Sequence, residues 1–267
     1  MYAFTYHRPK SLREAASLLA KNEEAKYLAG GHSLLPVMKQ RLAAPPALID
    51  LAGIPGMSGI ERSPRSVTIG AMTRHVEVET SPDVKEAIPA VAELVSVLGD
   101  PAVRNRGTLG GSLAGNDPST DWPAAALGLG AVVTTNKRKI HADEFFKGLF
   151  ETALEEGEII TKVSFPIPQK AGYKKFRHPA SRYALVGVFV AKRSGEIRVA
   201  VTGAGANGVF RWAEAEAALA KRFVPQSLEG LAASQDGLNS DIHADAEYRA
   251  HLIGVMARRA VKAAVER

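Results

Sequence analysis

The chain has 267 residues, 46% hydrophobic and 23% charged, and its 34 lysines and arginines outnumber 28 acids for a net charge of +6. This is the composition of an ordered globular protein of about two domains at ~150 residues each, and the scattered basic residues, with no aromatic-interleaved cluster, argue against a nucleic-acid partner. Cysteine is absent, so the chain itself can form no disulfide, thiolate nucleophile or cysteine-held iron–sulfur cluster, and redox chemistry here needs an organic cofactor.

The opening "MYAFTYHRPKSLREAASLLA" lacks the charged and apolar regions of a secretory leader. Within it, Ser11 and Glu14 predict a capped helix start, followed by an apolar face of Leu12, Ala15, Ala16, Leu18 and Leu19. "AKYLAGG" reads as a short strand running into a glycine pair, "SLLPVMKQRLA" as a helical segment and "PALIDL" as another strand. "SVTIGA" alternates like a strand. "SPDVKEAIPAVAELVSVLG" reads as two helices, with Ser81 capping, Pro82 in the first turn and Pro89 at the break. A second glycine pair lies in "DPAVRNRGTLGGSLAGNDPSTDWPAAALGLGAVVTT", whose end gives a small-residue helix and then a strand. The longest apolar run, residues 123–133, is far short of the ~20 residues of a membrane-spanning helix. No membrane span is expected, and the location expected is cytoplasmic.

Strand-like "EIITKVSFPIP" leads to a turn-rich segment near residues 166–172, taken as a domain boundary. Beyond it follow the strands "YKKFRHPASRYALVGVFVAKR" and "EIRVAVTGAG", a helix over about 211–222 and a last helix near 244–265. The fold class is α+β: mixed and antiparallel sheets with helices to one side. The seven histidines show no metal-ligating spacing, so no metal is assigned.

Three glycine-rich loops compete for an anion. A diphosphate needs backbone N–H groups facing one concavity with no side chain in the way. Ala29-Gly30-Gly31-His32-Ser33 ends a strand and opens a helical segment, and Thr108-Leu109-Gly110-Gly111-Ser112 lies in a polar stretch. Asn105, Asn116, Asp117 and Asp121 there could meet ribose or adenine, and Arg104 and Arg106 could offset phosphate charge. Either loop can equally be a tight turn with no ligand. The third, "GAGANG" at Gly203, Gly205 and Gly208, matches the dinucleotide fingerprint literally but lacks a following parallel strand. It reads as a flexible strand-to-helix connection.

The segments "LAGGHSLLPVMKQRL" (28–42) and "DPAVRNRGTLGGSLAGNDPSTDWPAAALGLGA" (100–131) closely resemble the FAD-binding, or medium, subunits of molybdenum hydroxylases. These belong to the carbon monoxide dehydrogenase and xanthine dehydrogenase family. The resemblance continues through "YKKFRHPASRYALVGV" and "GAGANGVFRWAEAEAAL". It implies a two-lobed, vanillyl-alcohol-oxidase-like FAD domain over 1–168 (lobes about 1–55 and 56–168) and a smaller sheet-and-helix domain over 169–267. It implies a cofactor site of Ala29, Gly30, Gly31, His32 and Ser33 with Thr108, Leu109, Gly110, Gly111 and Ser112, the diphosphate lying on both loops. Asp121 is implied as a further FAD contact, Leu98 and Ile159 or Ile160 as apolar contacts, Lys175 as a basic residue near the flavin and Tyr183 as an aromatic over its ring. Read from the residues alone, Tyr183 is equally a half-buried strand residue. The chain departs from the family at Arg182, where several members carry an acid, and at "NGVFRW".

The function so implied is an electron-transfer flavoprotein subunit. A small partner subunit would hold [2Fe–2S] clusters, a large one molybdopterin, and the acceptor would be quinone, oxygen or NAD. No catalytic acid, base or nucleophile is assigned, and His32 is expected to contribute its backbone. The rival readings are a stand-alone flavin oxidase or reductase and a cofactor-free scaffold.

Overall fold

The computed structural model describes residues 1–267. The first unit is a small parallel sheet. Strands β1 (Thr5–His7), β2 (Lys26–Leu28) and β3 (Ala47–Asp50) lie in the order β1-β3-β2, with α1 (Leu12–Lys21) and α2 (Leu34–Lys39) as connections. Ser11 caps α1 by accepting from the Glu14 amide at 3.2 Å. Glu14 reaches back to the Lys10 amide at 2.8 Å, one residue before the cap.

An antiparallel sheet follows. Strands β4 (Ile60–Arg62) and β5 (Ser66–Gly70) precede six short helices: α3 (His75–Thr80), α4 (Pro82–Ala87), α5 (Pro89–Ser96), α6 (Pro101–Arg106), α7 (Leu109–Gly115) and α8 (Trp122–Leu129). The break at Ile88-Pro89 falls where the second proline places it, and Ser81 caps α4. Then come β6 (Val132–Thr135), β7 (Lys139–His141), α9 (Ala142–Phe145), a hairpin of β8 (Phe146–Gly148) and β9 (Glu151–Thr152), and β10 (Ile160–Pro166). The five-stranded order is β4-β5-β10-β6-β7, so β10 returns to the middle.

The last sheet is an antiparallel meander: β11 (Lys170–Arg177), β12 (Ala184–Arg193), β13 (Glu196–Thr202) and β14 (Phe210–Arg211), followed by α10 (Ala213–Lys221) and α11 (Ala246–Val265). Both faces of this sheet are covered. Val186, Val188 and Val190 turn toward α11, whereas Phe189 and Ala191 join the core around α8. A residue period of two therefore sends alternate side chains of β12 into two different cores. Helix α8 is made of small and apolar residues because every one of them is buried.

The Gly203–Gly208 connection is pinned rather than flexible. The Gly203 amide donates to the Pro118 carbonyl at 2.8 Å, and the buried Arg249 of α11 donates to the Gly203 and Leu185 carbonyls at 3.0 and 2.8 Å. Thr202 Oγ1 donates to the carbonyls of Thr120 and Pro118 at 2.7 and 3.1 Å. The glycines thus let a turn sit directly on the segment 117–121.

Candidate cofactor cleft

A cleft of about 680 Å³ runs between the parallel sheet, the antiparallel sheet and the loop before β12. Of the residues singled out from sequence, Ala29, Gly30, Gly31, His32, Ser33, Leu98, Thr108, Gly110, Gly111, Ser112, Asp121, Ile159, Ile160 and Tyr183 all line it. Leu109 points into the core with no exposed surface. Lys175 stands behind the wall, its Nζ 2.9 Å from Asp121 Oδ1.

The two glycine loops meet at one end. A Cβ at Gly30 would lie 2.3 Å from the Arg106 carbonyl oxygen and 2.7 Å from the Gly107 Cα, so only glycine lets the chains approach this closely. Gly31 has φ +76°, the left-handed conformation that turns the chain from β2 into α2. The loops are not chemically alike. In the second, the Leu109 amide donates to the Thr73 carbonyl, that of Gly110 to the Ala71 carbonyl at 2.7 Å and that of Gly111 to Thr108 Oγ1 at 3.2 Å. In the first, none of the six consecutive amides from Ala29 to Leu34 donates to any protein acceptor. These six amides, exposed or half-buried and running into the first turn of α2, are free of protein acceptors along the cleft wall and can meet an acceptor-rich group there.

The two arginines singled out from sequence do not add to this role, although Lys26 and Arg182 stand elsewhere on the lining. Arg104 is spent on Glu79 at 2.8 Å and on the Leu98 carbonyl at 3.1 Å, and neither it nor Arg106 lines the cleft. Asn105 bonds the Pro101 carbonyl, and Asn116, at the end of α7, donates to the Gly148 and Glu151 carbonyls and fixes the β8–β9 hairpin. The acids of the cleft are themselves balanced. Burial pushes the Asp121 carboxyl up, and Lys175 together with the Tyr173 hydroxyl opposes that push. Burial also acts on Glu158, but Arg138, the Glu155 amide and Thr135 outweigh it and bring the carboxyl down to about 2.

The long walls are apolar: Leu98, Leu154, Ile159 and Ile160, with Tyr27 beside them, its phenol raised to about 12 by burial. Two half-open aromatics, Tyr183 and Phe150, stand on the lining, and Phe150 heads its hairpin with φ +55°. The result is a slot with a backbone anion cradle at one end and flat apolar walls along it.

A family model described as "FAD binding domain in molybdopterin dehydrogenase" matches residues 2–168. The chain belongs to this family. It is an oxidoreductase flavoprotein subunit whose cofactor is FAD. It is 36% identical to the carbon monoxide dehydrogenase medium chain of Hydrogenophaga pseudoflava, over 98% of this chain and 96% of that one. It is 38% identical to the nicotine 6-hydroxylase medium subunit of Paenarthrobacter nicotinovorans, over 97% and 96%. Among solved structures, a reconstituted CO dehydrogenase from Oligotropha carboxidovorans superposes with a TM-score of 0.88 at 34% identity, covering 100% of this chain and 99% of that one. The likeness extends beyond the FAD-binding model into the last sheet and helices.

Several lining residues of this family member escape a reading of motifs. His75, Asp100, Phe150, Glu158, Ala180 and Ser181 carry no spacing signature and reach the cleft only through tertiary packing. Leu149 and Phe150 form an adjacent apolar pair that the structure leaves exposed at a hairpin tip.

Proposed function

We propose that FAD lies along this cleft, its diphosphate on the open amides of Ala29–Leu34 and its rings between the apolar walls. The chain then serves as the electron-transfer subunit of a molybdenum hydroxylase complex. It takes electrons from [2Fe–2S] clusters of a small partner subunit, which a large molybdopterin subunit supplies, and passes them to quinone, oxygen or NAD. The six open amides carry the reading, because they offer an acceptor-rich group a run of donors that no protein acceptor uses. Bound FAD supplies the redox chemistry, exchanging electrons one or two at a time.

The chain's own residues bind and orient. The hydroxyls of Thr108 and Ser112 add donors beside the cradle, and the glycine contacts keep the loops close enough for one diphosphate to touch both. Lys175 and Tyr173 hold Asp121 at the wall with a fixed orientation. Leu98, Ile159 and Ile160 exclude water from the ring faces, and Tyr183 covers the open side with a phenol, a contact of ~1 kcal/mol on the scale of aromatic pairs. The absence of cysteine agrees with clusters and molybdenum residing on partner chains. The proposed division of the chain is an FAD-binding part over 1–168 and a supporting part over 169–267.

Expression of the chain with its neighbouring subunits tests this. The expected product is a yellow complex that releases one FAD per copy of this chain and whose flavin bleaches on addition of the complex's substrate. A colourless chain that takes up no FAD overturns the cofactor site, and a flavoprotein that never copurifies with iron and molybdenum overturns the electron path.

A further inference from the structure

His75 is 3% exposed yet lines the cleft, and its ring nitrogens have unequal surroundings. Nδ1 accepts the indole N–H of the fully buried Trp122 at 3.1 Å. An indole nitrogen only donates, so Nδ1 carries no proton and the hydrogen of the neutral ring sits on Nε2. Burial, with His32 and Arg104 adding to it, lowers the imidazole to about 4, which keeps the ring neutral. Nε2–H has no protein acceptor. Nε2 is not sealed off but opens onto the cleft, so a ligand acceptor there would take the place of water in a hydrogen bond that no protein group makes.

The position of Nε2 names that acceptor. It lies against Gly107, where any Cβ would come within 2.7 Å of it and cap it. Gly107 in turn abuts Gly30, at the point where the two glycine loops meet. The His75 amide donates to the Gly107 carbonyl at 3.0 Å, which locks the ring's backbone to the same junction.

We propose that His75 is a cofactor-binding residue whose neutral Nε2–H donates to a diphosphate oxygen at the junction of the glycine loops. This rests on the placement of FAD given above. The bond is specific to one tautomer, and Trp122 selects that tautomer.

The test compares apoprotein of the wild type, His75→Asn and His75→Gln in titrations with FAD, ADP and riboflavin. Asparagine keeps an oxygen for Trp122 but cannot reach where Nε2 lies, whereas glutamine places an amide N–H there. The expected result is roughly tenfold weaker binding of FAD and ADP by His75→Asn, as for one lost hydrogen bond to a charged acceptor. Riboflavin, which has no diphosphate, should bind all three alike, and His75→Gln should recover most of the loss. Unchanged tryptophan emission in His75→Asn, with Trp212 as a constant background, would show that the surroundings of Trp122 persist. Equal loss of riboflavin and FAD would make the histidine structural and overturn the proposal, as would wild-type affinity in His75→Asn. A wild-type apoprotein that ignores FAD instead sinks the cleft assignment itself.

Discussion

Glu158 shows how single residues set the cleft's electrostatics. Its side chain is wholly buried, yet it is held as a carboxylate by Arg138, whose guanidinium lies 3.1 Å from Oε2, by the Glu155 amide at 2.8 Å and by Thr135 at 2.6 Å. Burial alone would raise its pKa, and these partners instead lower it to about 2. The folded-state value therefore lies below the unfolded value of ~4.3. The unfolded state binds the proton more readily, so the contribution to stability is full above ~4.3 and fades as pH falls toward the folded value. Urea unfolding of the wild type and Glu158→Gln at pH 7, 5, 4 and 3 should show a gap favouring the wild type that narrows from pH 5 to 3. A gap that stays constant with pH would mean that the carboxylate's charge is not what stabilises this wall. The same residue had no signature in the sequence, since its partners come from the end of β6, from the turn before β7 and from its own loop.

At the scale of elements, what could be read from the chain follows from local rules. Ser11, Ser81, Pro82 and Pro89 begin helices because capping and proline geometry act within one turn. The loops at Gly30 and Gly110 stand out because close contact admits glycine alone: a Cβ at Gly30 would meet the Arg106 carbonyl oxygen at 2.3 Å and one at Gly110 the Ala71 carbonyl oxygen at 2.9 Å. The loop 178–183 and the β8–β9 hairpin reach the cleft through long-range packing that no local pattern encodes. The fingerprint at Gly203 illustrates the difference: its glycines serve a docked turn, and the docking residue, Arg249, is 46 positions away. Arg249 is 3% exposed and donates to two carbonyls as well as to Asp241 at 2.7 Å. Arg249→Met should leave the Gly203 and Leu185 carbonyls buried without this partner, at a cost of ~1–3 kcal/mol each before relaxation, while the exposed Asp241 is solvated. For a chain of this size that corresponds to a fall in Tm of about 5 °C or more. Scanning fluorimetry measures it, and an unchanged Tm would show that water replaces the guanidinium without loss.

On the scale of the whole molecule, the chain after residue 168 is not an appendage, because its sheet completes the core of the part before it. Tyr173, Phe189, Ala191 and Ala200 share one apolar cluster with Trp122, Leu129 and Phe165, and the Tyr173 and Phe189 rings lie tilted against each other with centroids 6.2 Å apart. Lys175, from the same face of β11, supplies the buried cation for Asp121 at the start of α8. A fragment ending at residue 168 would expose the apolar side of α8 and strip Asp121 of Tyr173 and Lys175, losing the burial of several large apolar side chains at ~1.5–3 kcal/mol each. That is a large share of a net stability of ~5–15 kcal/mol. The fragment 1–168 is therefore expected to bind a hydrophobic dye, aggregate and take up no FAD, although it spans the whole FAD-binding match. The intact chain should melt in one cooperative transition. Calorimetry decides between the two pictures: two resolved transitions, or a soluble fragment that turns yellow with FAD, would show that the shared core is dispensable and that the last sheet is carried for docking to partners instead.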